Sequence, residues 1–186
     1  DRLRLKEAAA NLLTNPGFEE GTGASPRNTV PGWTKGGLDL QASDGSWFSG
    51  IPPHSGGWFL QGAANSTHAD GYLWQRVTGV SSGTEYTLSA WITTWMRENG
   101  TYKYDVWNDP NRLSYVRLGM DPTGGTDPNG AAIQWTPRFY SHLHYQNAAL
   151  SVLARADALT VFVRMQGTGG EWHLYGVDDC VLTAEE

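Results

Sequence analysis

Short stretches of this chain alternate apolar and polar side chains with a period of two, the spacing of a strand that buries one face. In "EYTLSAWITTWM", residues 85–96, Tyr86, Leu88, Ala90 and Ile92 share one face while Trp91, Thr93 and Trp95 share the other. "GYLWQRV" separates Leu73, Gln75 and Val77 from Tyr72, Trp74 and Arg76. "SYVRLGM" separates Val116, Leu118 and Met120 from Tyr115 and Arg117. Strands are expected over 11–14, 33–42, 57–63, 71–78, 84–96, 113–120, 131–136, 148–154, 159–166 and 173–182, between joints rich in Gly, Pro, Asn and Asp. No helical period is sustained after residue 10. "RLRLKEAAANLL" reads as a short helix or an extended arm, residues 1–10 as a linker or N-terminal arm, and 11–186 as a single all-β domain, a β-sandwich of jelly-roll type.

Composition narrows the chemistry. A chain of 186 residues buries a sizeable core without help from metal or disulfide, and Cys180, the single cysteine, has no partner with which to form one. A formal charge of −6, with basic residues scattered singly, argues against nucleic acid or an anionic membrane as partner and suits a neutral ligand. No apolar run reaches the length of a membrane span. The opening "DRLRLKEAAA" reads as linker or as the tail of a preceding segment of a secreted protein.

Nine tryptophans against five phenylalanines are more indole than a core needs, since Leu, Ile and Val fill cores at lower cost in polar burial. The excess points to a flat binding surface on the non-core faces: Tyr72, Trp74 and Arg76, Trp91 and Trp95, Tyr115 and Arg117. A sugar ring stacks its C–H face on such rings while neighbouring donors and acceptors take its hydroxyls. Trp107, in the aromatic-bearing segment 97–112, would extend that surface at the rim. The competing reading is that these faces are a second inner surface or lie under a long loop. "DPTGGTDPNG", residues 121–130, carries oxygen enough for a cation but reads as a plain loop.

The last strand candidate, "YGVDDCVL", places Asp178, Cys180 and Leu182 on one face and Val177, Asp179 and Val181 on the other. Both faces hold apolar groups, so one aspartate points where an unpaired charge is costly. Calcium would supply the missing partner, and "NLLTNPGFEEGTG" near the start offers Glu19 and Glu20 as further hard oxygen ligands. "NLLTNPGFEEG", "VPGWT" and the closing "VDDCVL" together resemble the jelly-roll carbohydrate-binding modules of the broad xylan- and β-glucan-binding grouping attached to bacterial glycoside hydrolases. The likeness is strongest at the termini and moderate through "GYLWQRVTGVSSGTEYTLSAW". It implies a structural Ca2+ where the first and last strands meet, carried over to Glu19 and Asp178 with Asp179 as substitute. It implies an aromatic-bearing concave sheet or cleft, an extracellular or cell-surface location and a covalently linked catalytic domain. The segments after residue 96 and over "RLGMDPTGGTDP" depart from the pattern.

Catalysis finds little support in the sequence. Glycoside hydrolysis needs two carboxylates facing each other at about 5 Å or somewhat more, and nothing opposes Glu85, Glu98, Asp105 or Asp109 to one another. His142, His144 and His173 read as surface groups, no serine lies in G-x-S-x-G, and no Gly-rich loop opens a helix. Asn65 and Asn99 match the short glycosylation motif. The expected protein is a monomeric, non-catalytic module for a neutral polysaccharide, a β-glucan, xylan or mannan. The alternatives are a structural β-sandwich accessory domain and a polysaccharide-degrading jelly-roll enzyme.

Overall fold

The computed structural model describes residues 9–46, 51–66, 68–98, 101–102, 113–141, 143–169 and 172–185. Among these the strands are β1 (Thr34–Gly36), β2 (Asp39–Ser43), β3 (Phe59–Ala64), β4 (His68–Thr78), β5 (Glu85–Glu98), β6 (Thr101–Tyr102), β7 (Leu113–Asp121), β8 (Gln134–Trp135), β9 (Gln146–Leu153), β10 (Ala158–Thr168) and β11 (Trp172–Ala184). They form a five-stranded sheet, β1-β4-β10-β7-β8, and a six-stranded sheet, β2-β3-β11-β5-β6 with β9 also on β5, all pairs antiparallel. The architecture is the expected all-β sandwich.

The alternation read from the sequence holds in all three strands quoted above. Leu73 and Val77, Tyr86 to Ile92, and Val116 to Met120 meet Val161, Val163, Met165, Leu60 and Val177 in one core between the sheets. Gln75 shares that inward face without being stranded there. Its Oε1 accepts from Thr14 N (2.7 Å) and its Nε2 donates to Thr14 O (3.0 Å), which ties the N-terminal segment to β4. Phe18, the phenylalanine set beside two acids, is wholly buried in the same core and tilts against Trp33 at 5.7 Å.

Three expectations change. The stretch 11–14 forms no ladder; Leu12 N donates to Leu182 O, and the Asn11 side chain brackets β11 at Cys180 O and Leu182 N. The stretch 33–42 is two strands in different sheets, because the chain crosses over at Gly37, whose φ of +85° and contact with Asp70 O leave no room for a Cβ. Finally, strict alternation fails in β11. A bulge at Asp179, with φ of +47°, shifts the register between Asp178 and Val181. Val177, Cys180 and Leu182 therefore all face the core, and Asp178 turns to the outer face of its sheet, where it is buried beneath His54 and Ser55.

His173 is not a surface group. It is fully buried at one end of the sandwich, with Nδ1 2.7 Å from Ser114 Oγ, and its ring occupies the space that a side chain at Gly167 would need. Burial holds its pKa below the ordinary value. The unfolded chain thus binds the proton more readily than the native one, so stability is expected to fall as pH drops through and below the ordinary histidine range. Urea midpoints at pH 7.5 and 5 should fall further for the native chain than for His173→Gln, and equal losses would contradict this assignment.

Candidate functional site

The aromatic set expected from the sequence is divided between the two outer faces of the sandwich. β4 and β7 lie in the five-stranded sheet and β5 in the six-stranded one, so Trp91 and Trp95 do not share a surface with Tyr72, Trp74, Arg76, Tyr115 and Arg117. Trp107 lies outside the described residues.

On the six-stranded sheet the tryptophans are covered. Trp95 is 1% exposed and packs with Ile51 and Leu174 under Ala63, Leu143 and Tyr145. Trp91 is half-buried beneath the His54 ring, stacked at 4.1 Å and 15°, with Tyr145 edge-on to that histidine. Asp179 Oδ2 in turn holds His54 Nδ1 at 2.7 Å. The period of two assigns a strand face correctly and says nothing about a loop laid over it.

The outer face of the five-stranded sheet is different. Cross-strand register sets Gly36, Tyr72, Arg164 and Arg117 in one row, Thr34, Trp74, Phe162, Gly119 and Trp135 in the next, and Asp70, Gln166 and Tyr115 on the other side. Tyr72 and Trp74 are half-exposed. The Tyr72 ring lies across Gly36, where an added Cβ would come within 2.5 Å of its hydroxyl. Arg164 Nε and Nη2 donate to Asp70 Oδ1 (2.9 Å) and Oδ2 (2.7 Å), a two-bond fork, and Nη1 donates to Pro128 O at 3.0 Å.

Segment 122–136 walls one side of this face. Arg76 Nε donates to Gly124 O (3.1 Å) and Arg117 Nε to Thr136 O (3.0 Å), while Trp135 lies over Gly119 against Phe162. Asp121 ends β7, and residues 122–130 are a loop anchored to the sheet, as expected. Tyr115 departs from expectation, being 7% exposed between Arg138, 4.4 Å above its ring, and the edge of Tyr140. It supports the site's wall more than it offers a stacking surface.

This face can hold the C–H side of a sugar ring on Tyr72 or Trp74 while the Arg164–Asp70 fork and Gln166 meet its hydroxyls. Asp70, Arg164, Gln166, Trp135, Arg138 and Tyr140 were not singled out from the sequence. For β10 the signal was present: "VFVRMQG" alternates in the same way and sets Phe162, Arg164 and Gln166 apart from the core side.

The terminal carboxylates converge. Glu19 Oε1 accepts from Gly57 N (2.9 Å) and Trp58 N (3.1 Å), and Asp178 Oδ2 from His54 N (2.8 Å) and Ser55 N (3.2 Å). Asp178 Oδ1 accepts from Asp179 N, and Asp179 Oδ1 from Ser55 Oγ. A side chain at Gly17 would touch Glu19, Asp178 and Asp179 together. Burial pushes the Asp178 carboxyl up to about 6. Among the described residues no group of three or more His, Cys, Asp or Glu is spaced to hold a metal. The donor types suit calcium, while their present spacing is that of a hydrogen-bonded clasp.

No family model and no curated protein matches the sequence. Solved structures do. The module TmCBM61, determined with β-1,4-galactotriose, aligns at a TM-score of 0.63 and 17% identity over 95% of this chain and all of that one. The CBM22-1 xylan-binding domain of Paenibacillus barcinonensis Xyn10C aligns at 0.57 and 16% over 96% and 97% of the two chains. An arabinose-bound GH51 α-L-arabinofuranosidase aligns at 0.59 and 16% over 95% of this chain but 26% of its own. At these identities the likeness is one of fold, and the fold of this chain is the jelly-roll sandwich of carbohydrate-binding modules.

Proposed function

We propose that the protein is a non-catalytic carbohydrate-binding module that takes a β-linked polysaccharide with a neutral main chain, a glucan, xylan or mannan, on the outer face of its five-stranded sheet. The observation that carries this reading is the row of half-exposed Tyr72 beside the Arg164–Asp70 fork, with Trp74 next to it. The absence of catalysis is supported by the state of the acids on this face. Asp70 is engaged by Arg164, and Asp121 is buried, accepting from Thr123 N and Oγ1. The module acts as a monomer, outside the cell or at its surface, joined to a catalytic domain; among the described residues no helix is long and apolar enough to cross a membrane. Stacking on one or two rings is a modest interaction, so affinity is gained over several sugar units and is insensitive to salt on a neutral chain. Retention on insoluble glucan, xylan and mannan, with reducing-sugar release followed in the same tubes, tests this. Retention without release is expected; release would make the protein an enzyme, and retention on none would favour an accessory scaffold.

The second part of the proposal is a structural calcium at Glu19, Asp178 and Asp179. It is supported by the approach of carboxylate oxygens of Asp178 and Asp179 and of the Glu19 side chain, from both ends of the chain, to Gly17. Its entry requires loop 54–58 to release some of the hydrogen bonds these oxygens now accept. Binding to the folded chain alone raises apparent stability by mass action. Melting should shift upward with excess calcium and downward with chelator, and Glu19→Ala or Asp178→Ala should abolish the difference. Coincident melts of the unaltered protein would refute the calcium.

A further inference from the structure

We propose that the same face contains a carboxylate subsite, formed by Arg117 and Arg138 around Tyr115, that reads uronic acid residues carried by the polysaccharide; the inference rests on the sugar-binding reading of this face. Arg164 and Arg117 stand directly opposite each other on β10 and β7. Like charges in that position repel. Arg164 is neutralised by its two bonds to Asp70. Arg117 is half-buried, and among the described residues its polar contact is a single bond from Nε to the Thr136 carbonyl, with the Trp135 ring 5.3 Å from its guanidinium carbon.

Arg138 adds a second uncompensated cation, exposed and stacked over Tyr115, two residues before Arg117 on β7. Among the described residues neither arginine forms an ion pair. Asp121, the one carboxylate on β7, is four residues from Arg117 and already bonded to Thr123. Among the described residues Arg76, Arg117 and Arg164 on the strands and Arg138 over Tyr115 thus share this face with Asp70 and Asp121, with Asp127 in the adjoining loop: four cations beside three carboxylates in a chain whose formal total is −6.

A guanidinium fork matches a carboxylate in shape and charge, and such bonds are stronger than those to neutral hydroxyls. The overall negative charge disfavours a densely acidic polymer, whereas single uronates on a neutral main chain meet only the local field. The ligand class is therefore a β-linked polysaccharide with scattered carboxylates.

Matched pairs provide the probes: xylan bearing glucuronosyl side groups and its carboxyl-reduced form, and glucan and mannan before and after partial oxidation of C6 to carboxylate. For at least one pair the unaltered protein should bind the carboxylated member about tenfold more tightly at low salt. That ratio should shrink at high salt and approach one in Arg117→Gln and, independently, in exposed Arg138→Gln, which guards against a folding defect in the first variant. Equal binding of both members of every pair, with the neutral members retained, would overturn the carboxylate subsite and leave the sugar-binding face standing. Retention of no member of any pair would overturn both.

Discussion

Trp95→Ala is expected to lower stability by about 3–5 kcal/mol, the range for removing a large buried aromatic. The ring is 1% exposed and closes a small cluster with Ile51 and Leu174 on the outside of the six-stranded sheet. Its Nε1 has no hydrogen-bond partner among the described residues, so the loss is one of packing and not of a polar bond. Leu174 lies opposite Trp95 across the β5–β11 ladder and Ala63 opposite Leu174, so the cavity would open along three strands. Urea unfolding should show the midpoint falling with the slope unchanged. A loss below about 1 kcal/mol would mean that the covering residues collapse into the gap or that the ring is open to solvent.

Trp74→Ala is expected to do the opposite, weakening polysaccharide binding about tenfold or more at a smaller cost in stability. Trp74 is half-exposed, flanked by Thr34 on β1 and Phe162 on β10, and it stands next to the Tyr72–Arg164 row. Losing a stacked ring removes contact area and the aromatic preference together. Affinity electrophoresis against a soluble form of whichever polysaccharide is retained would read this. Unchanged mobility shifts alongside a native melting profile would move the site off this face.

These two tryptophans show what the sequence could and could not convey. Alternation in "GYLWQRV" and "EYTLSAWITTWM" placed both rings away from the core, and the structure agrees. Whether the rings share one surface depends on strand partners far along the chain. β4 and β5 are neighbours in sequence, yet β4 pairs with β1 and β10 and β5 with β11, β9 and β6. Nothing local to either strand encodes that separation. Coverage is likewise non-local, since Ile51 and His54 reach β5 from a loop more than thirty residues earlier. The meeting of Glu19 with Asp178 was legible through resemblance, but the bulge at Asp179 was not, because one inserted residue breaks the period on which the face assignment rests.

The central claim is the location of the binding face, and the indole N–H resonances of the nine tryptophans can report it directly. Single Trp→Phe variants assign the signals of Trp74, Trp91 and Trp95, and a retained polysaccharide, cleaved to short oligosaccharides, is then titrated into the unaltered protein. Trp74 should shift progressively and saturably while Trp91 and Trp95, under His54 and Ile51, stay in place. Saturable shifts of Trp91 and Trp95 with Trp74 unmoved would put the ligand on the six-stranded sheet and contradict the assignment.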